Sequence, residues 1–318
     1  MPAANLTEFV TASARNWSKT MADNVTKHNA LLNRLEKKGG IKKVPGGRTI
    51  DEAIIYPTNA NGSMKWYQGY DAFSPPTSSE VLDAAEFNWK QLGGFISISG
   101  IEKIQNSGEY QRYSYTEARM KQLEALMRNA VGQSLYSDGT GSSGKELGGL
   151  QLIIADDPTA AGTVGGINQQ TFTFWRNQNS PAAATDTTNI QQRMDDMWLS
   201  CIRGTDKPDL ILADKIMFQY YWNSLQQQMR FTKPEYADIG FMEVDFMGAS
   251  CVYDVNCPAK HMYFVNTDSV FLKCAPSRIF DVGDARTIQN ADYDVIPVFF
   301  AGNLTVNNRS LNGVIIAT

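Results

Sequence analysis

The sequence predicts an α+β fold on three observations. Stretches with apolar residues three and four apart, the spacing of amphipathic helices, recur through the first two thirds of the chain. Short runs rich in β-branched and aromatic residues dominate the last third. The two kinds do not follow the regular β–α–β alternation of a doubly wound sheet. The chain has 318 residues, of which 42% are hydrophobic and 19% charged, so it is globular rather than disordered. No apolar run reaches the ~18–20 residues of a membrane helix. The N-terminus MPAANLTEF lacks the layout of a secretory signal. No membrane partner is expected.

The first element is a long amphipathic helix. Its apolar stripe runs from Leu6 through Trp17 and His28 to Leu31, Leu32 and Leu35. Asn5 with Glu8 three residues on forms a capping box, and Gly39-Gly40 ends the helix. At 1.5 Å per residue it would be about 50 Å long, an arm lying on something rather than part of a compact core. Residues 42–99 have no helical period. Ile50, Ile54 and Tyr56 mark a strand, NANGS a turn, and Ala85, Phe87 and Trp89 a second strand. The pattern is a hairpin-like excursion carrying Trp66, Tyr67, Tyr70, Phe73, Phe87 and Trp89. An isolated hairpin is marginal in water, so it either folds onto its own body or packs on another subunit.

A second long helix spans Ile101–Tyr136, interrupted early at Asn106-Ser107-Gly108. Its predicted apolar face includes Ile104, Leu123, Leu126, Met127 and Val131. A third helix points Ile190, Met194, Met197, Trp198 and Cys201 inward, and Asp214 caps a fourth carrying Met217 and Tyr221. Strands are predicted at 208–213, 249–253, 262–265, 270–273, 295–300 and 314–317.

No catalytic constellation stands out. The four cysteines (Cys201, Cys251, Cys257 and Cys274) include no CxxC pair, and the only histidines are His28 and His261. That composition argues for buried thiols and against a zinc site. A Cys251–Cys257 disulfide stays open. Gly139–Lys145 matches the first seven positions of a phosphate-binding loop, but Glu146 stands where a Ser or Thr would hold magnesium. The segment also follows a helix rather than a strand, so it reads as a linker. In Asp156-Asp157 and Asp195-Asp196 adjacent side chains diverge, which does not make a two-carboxylate site. Structural roles are expected for both histidines. No enzyme activity, cofactor or metal is expected.

Charge is uneven. Met1–Arg48 holds nine Lys or Arg against three Asp or Glu, a net +6, which leaves −10 for the remainder. A basic arm on an acidic body fits DNA phosphates, an acidic face of a neighbour, or plain solvation. Arg15, Lys19, Lys27, Lys37 and Lys38 are the candidates, for sequence-independent contact at most.

Five segments together carry a family resemblance: ADNVTKHNALLNRL (22–35), WYQGYD (66–71), EFNWKQ (86–91), SDGTGSSGKELGGLQLIIADDPT (137–159) and TVGGIN…FWRN (163–177). With them the chain resembles the major capsid proteins of tailed bacteriophages, which adopt the Hong Kong 97-like fold. The resemblance implies an N-terminal arm (1–47), an extended loop (48–96), a peripheral domain (97–206 plus 275–308) with a spine helix at about 101–136, and an axial domain (207–274 plus 309–318). It implies self-assembly into pentamers and hexamers of an icosahedral shell around double-stranded DNA, in a virion assembled in a bacterial cytoplasm. Portal protein and separate scaffolding or decoration proteins are the implied partners. It places the aromatic excursion across a neighbouring subunit, with Trp66, Tyr67, Tyr70, Phe73 and Trp17 as contacts. A removable N-terminal scaffolding domain and a covalent Lys–Asn crosslink, found in some relatives, are not expected. An encapsulin-like compartment shares the fold and is the first alternative; a soluble α+β enzyme is the second. Gly46-Gly47 and Gly93-Gly94 are the expected hinges.

Overall fold

The computed structural model describes residues 29–55, 66–71, 82–105, 115–225, 243–287 and 291–318. Arg15, Trp17, Lys19, Lys27, His28 and Phe73, and the arm before Asn29, lie outside the described residues. The helices are α1 (Ala30–Lys37), α2 (Gly100–Gln105), α3 (Tyr115–Ser134), α4 (Ile190–Cys201) and α5 (Lys215–Ser224). The strands are β1 (Ile41–Lys43), β2 (Ile50–Ile55), β3 (Leu82–Phe87), β4 (Lys90–Ser99), β5 (Thr163–Val164), β6 (Ile167–Asn168), β7 (Gln178–Ala183), β8 (Leu210–Ala213), β9 (Glu243–Phe246) and β10 (Ala249–Tyr253). They continue with β11 (His261–Val265), β12 (Val270–Cys274), β13 (Asp281–Val282), β14 (Arg286–Thr287), β15 (Tyr293–Val306) and β16 (Gly313–Ala317). The α+β expectation holds.

Two sheets organise these elements. In the first, β15 is the hub: it pairs antiparallel with β4, β12, β13 and β14, and β1 adds to β12 in parallel. The second runs β7-β16-β11-β8-β10-β9. Its central strands bury both faces. Leu210, Leu212, Tyr263, Val265 and Val314 join the first core, with α1, α3 and the first sheet. Ile211, Ala213, Met262, Phe264 and Ile315 join a second core under α4 and α5. That is why LILA and HMYFV read as continuous apolar runs without alternation. The inward residues of α4 are buried as expected, and the Asp214 carboxylate accepts the Ile216 N–H to cap α5.

Strand pairing groups segments differently from the expected domain boundaries. Strand β7 pairs with β16 and α4 packs in the second core, although 178–206 was expected in the peripheral domain. Strand β12, expected in the axial domain, is built into the first sheet.

The arm helix, in which the sequence leaves a kink or break open, is broken at Asn29. Asn29 is extended (φ −117°, ψ 124°), and its side chain accepts the Leu32 N–H, so a new helix starts at Ala30. A short amide that bonds the backbone favours a cap over a helix interior. The Gly39-Gly40 stop is as expected, with Gly39 at φ +70°. On α3 the buried face is Met120, Leu123, Met127 and Val131, whereas Leu126 is exposed; Ile104 on α2 is exposed as well. Finally, Gly93-Gly94 is no hinge. It lies inside the β4–β15 ladder, and a Cβ on Gly94 would sit 2.5 Å from Leu123 Cδ1. The glycine lets α3 approach the sheet.

Candidate subunit-interaction surface

The aromatic excursion has an anchored base and an exposed tip. Strands β2 and β3 pair from Ile50↔Phe87 to Ile55↔Leu82. Alternation places Ile50, Ile54, Ala85 and Phe87 on one face, all buried in the first core. On the same face, between Ile50 and Ile54 and opposite Ala85, Glu52 is held by Lys273 at 2.9 Å and by the Thr305 hydroxyl at 2.7 Å. The Glu86 N–H donates to Gly165 O, and the half-buried Trp89 indole donates to Gly47 O. The base of the hairpin therefore belongs to its own subunit.

Residues 66–71 carry exposed aromatic rings. Trp66 is 101% exposed, Tyr70 107% and Tyr67 64%. The tip is shaped by Gly69 at φ +57° and by Asp71, whose carboxylate accepts the Gln68 N–H at 3.1 Å. Among the described residues nothing covers Trp66 or Tyr70, while Tyr67 is partly covered. Each aromatic side chain offers on the order of 150–250 Å² for burial, so three of them make an adhesive surface.

The basic candidates divide. Lys38 is engaged within its own chain, 3.1 Å from Asp268 and 3.3 Å from Asp209, and Arg34 meets Asp209 at 2.8 Å. The Thr267 N–H and hydroxyl complete the shell of Asp209. These pairs pin α1 to the body; Lys38, though exposed, is already paired within its own chain. Lys37 is exposed.

The glycine- and aromatic-rich signature between Lys145 and Asn177 builds a structural hub rather than a site of reaction. At its centre lies Arg309, which is fully buried. Its guanidinium donates to Ile153 O (2.6 Å), Gln169 Oε1 (3.0 Å), Trp175 O (3.1 Å) and Asn177 Oδ1 (3.1 Å). Asn177 also brackets the Ala155 backbone, accepting its N–H and donating to its carbonyl. The Trp175 indole donates to Val164 O. Burial pushes the Arg309 guanidinium down to about 10, so it keeps its charge at neutral pH, with neutral oxygens in place of a counter-ion. Sequence reasoning missed Arg309; a lone arginine in the apolar C-terminal strand region was the available signal.

The chemical decoys resolve as structure. Residues 141–144 form a tight turn with Ser142 and Ser143 left-handed, and Lys90 donates to Gly144 O, so no phosphate cradle opens a helix. All four cysteines are buried free thiols, and burial pushes Cys201 and Cys274 up to about 12. Asp157 accepts the Thr159 N–H and hydroxyl in a turn, as expected for Asp-Asp-Pro. His261 opens β11 and meets Asp156 at 3.2 Å, a pairing the sequence did not reveal. Among the described residues no group of three or more His, Cys, Asp or Glu is placed to hold a metal ion.

No protein-family model and no curated protein matches the sequence. Solved structures match by shape. A chain of the cyanophage A-1(L) capsid superposes with a TM-score of 0.67 at 17% identity, covering 87% of this chain and 90% of that one. A chain of the capsid of the myovirus XM1 does so with a TM-score of 0.57 at 12% identity, covering 89% and 92%. The chain has the Hong Kong 97-like capsid fold. At such identities the likeness is one of fold. An encapsulin from Synechococcus elongatus shares the Hong Kong 97-like architecture with a TM-score of 0.51 at 10% identity, covering 74% and 77%.

Proposed function

We propose that this chain is the major capsid protein of a tailed bacteriophage, a structural subunit rather than an enzyme. It assembles as pentamers and hexamers into an icosahedral shell around double-stranded DNA. The observation that carries this reading is the pairing of a capsid fold over most of the chain with Trp66 and Tyr70 held fully in solvent by an anchored hairpin. Large aromatic rings in that position lower the free energy only when another molecule covers them. A symmetric shell supplies that cover many times over, so individually weak contacts add.

In this proposal 1–47 is the arm and 48–96 the extended loop. The remaining chain divides along its two cores into a peripheral part around β15 and α3 and an axial part around β8, β11, α4 and α5. Trp17 and Phe73 join the tip in contacting neighbours. Arg15, Lys19 and Lys27 are the arm's candidates for DNA phosphates or an acidic neighbour. Portal, scaffolding and decoration proteins are the further partners, and the virion, assembled in the bacterial cytoplasm, is the location.

Electron microscopy of the expressed full chain tests the reading: closed shells are expected. Small soluble oligomers at every concentration would refute it. The likeness to an encapsulin favours a second reading, a compartment that encloses proteins. Nuclease-resistant DNA inside particles from the native source separates the two.

A further inference from the structure

His261 stands between acceptors only. Its Nδ1 lies 2.7 Å from the Ala259 carbonyl oxygen, and its Nε2 lies 3.2 Å from Asp156 Oδ2. A carbonyl cannot donate, and an ionised carboxylate cannot either. Both contacts are hydrogen bonds at once only when both ring nitrogens carry protons. Neutral imidazole, with one N–H, satisfies one of the two.

Asp156 and His261 stand on different segments, a turn and a strand. Asp156 sits in the turn after Ile154, where Asn177 brackets Ala155 and Asn179 donates to the Asp156 carbonyl at 2.9 Å. That turn is continuous with the Arg309 hub through Ile153 O. His261 opens β11 in the middle of the second sheet, opposite Ile316 of β16. The ion pair spans 105 positions of sequence.

We propose that His261 is a proton-operated brace: as the imidazolium it adds a charged tie, through Asp156, to the Asn179 contact that already holds the 154–159 turn against the second sheet, and loss of one ring proton to water weakens that tie. This holds whether or not the chain forms a shell.

The charges around the ring agree with that assignment. Asp156 faces it from the turn. Asp214, the cap of α5, lies on the adjoining loop, where its Oδ2 accepts the Lys260 N–H at 2.9 Å. Asp157 is occupied by Thr159. Tyr263 contributes a ring stacked at 6.0 Å on the same strand. The cations nearby are Lys260, next in sequence, and Arg193 of α4, which donates to the Ile316 carbonyl at 3.1 Å. The Asp156 hydrogen bond, helped by the Ala259 carbonyl and the two aspartate charges, raises His261 above its usual 6.5 against the opposing effect of partial burial. For a raised histidine the contribution is complete below 6.5 and is lost as pH climbs through the folded-state value. The brace is therefore closed in acid and opens on the alkaline side.

The chain has two histidines, which makes the test clean. In a His28→Gln background, full-length protein labelled with ¹⁵N-histidine is titrated by magic-angle-spinning NMR, which reads free subunits and large assemblies alike. The expected His261 midpoint lies above 6.5, and Asp156→Asn brings it down towards that value. In parallel, a broad-specificity protease is applied at several pH values and cleavage within 154–162 is read by mass spectrometry, normalised to Asp156→Asn at the same pH. Cleavage of the parent should rise about two- to fivefold through the midpoint, the factor carried by a half-exposed ion pair of up to ~1 kcal/mol. A midpoint at or below 6.5, a midpoint that Asp156→Asn leaves unchanged, or a flat cleavage ratio each overturns the proposal.

Discussion

Arg309 shows at the scale of one residue why a signature can be structural. A buried cation without a counter-ion costs free energy unless oxygens replace its water. Here backbone and amide oxygens drawn from Ile153, Gln169, Trp175 and Asn177 do so, and the residues that supply them are those of the signature string. Arg309→Met removes the donors and leaves the Ile153 and Trp175 carbonyls without them; Asn177 Oδ1 keeps the Ala155 N–H. The expected loss is about 3–5 kcal/mol, measured as a lowered urea midpoint of the unassembled subunit. Arg309→Lys should recover only part of it, because an ammonium lacks the planar fork. Gly149, in the same string, answers a different constraint: a Cβ there would lie 2.5 Å from the Leu135 backbone, which cannot yield.

Among the elements, the β2–β3 hairpin separates two roles within one sequence stretch. Its base is fixed by Ile50, Ile54, Ala85 and Phe87 in the core and by Glu52 beneath Lys273 and Thr305. At its tip Trp66 and Tyr70 are fully exposed among the described residues. The double variant Trp66→Ala/Tyr70→Ala should therefore leave subunit stability within about 0.5 kcal/mol, as for other exposed positions, while sharply reducing the yield of closed particles by sedimentation. Equal yields would show that the tip is not a contact. Helix α1 makes the converse case. It reads as part of an arm lying on something, and that something includes its own body: Leu31, Leu32 and Leu35 are buried and Arg34 and Lys38 bind Asp209 and Asp268. The sequence shows amphipathicity but not the surface that receives the apolar face.

For the whole molecule, two cores share one sheet. Strands β8, β11 and β16 carry apolar side chains on both faces, so the two parts of the subunit are joined through the second sheet rather than by a linker. The subunit should unfold as one unit, and shells should melt above free subunits, because association stabilises only the folded state. Calorimetry of both species checks this: coincident transitions would mean that the exposed tip gains nothing on assembly.

Periodicity, capping residues and turn chemistry made the element types legible. Residues 190–201 point five predicted side chains inward, Asp214 caps its helix, and the strands from 249 to 317 lie where alternation or continuous apolar runs place them. These are local properties, set by side chains a few positions apart. Partners distant in sequence were not legible. That Leu126 faces out while Met120 faces in, that Gly94 admits α3, that Lys38 pairs within its own chain, and that Asp156 finds His261 all depend on which surfaces the folded chain brings together. Local sequence carries the period of each element, but only the assembled sheets supply the long-range contacts that decide what each face meets.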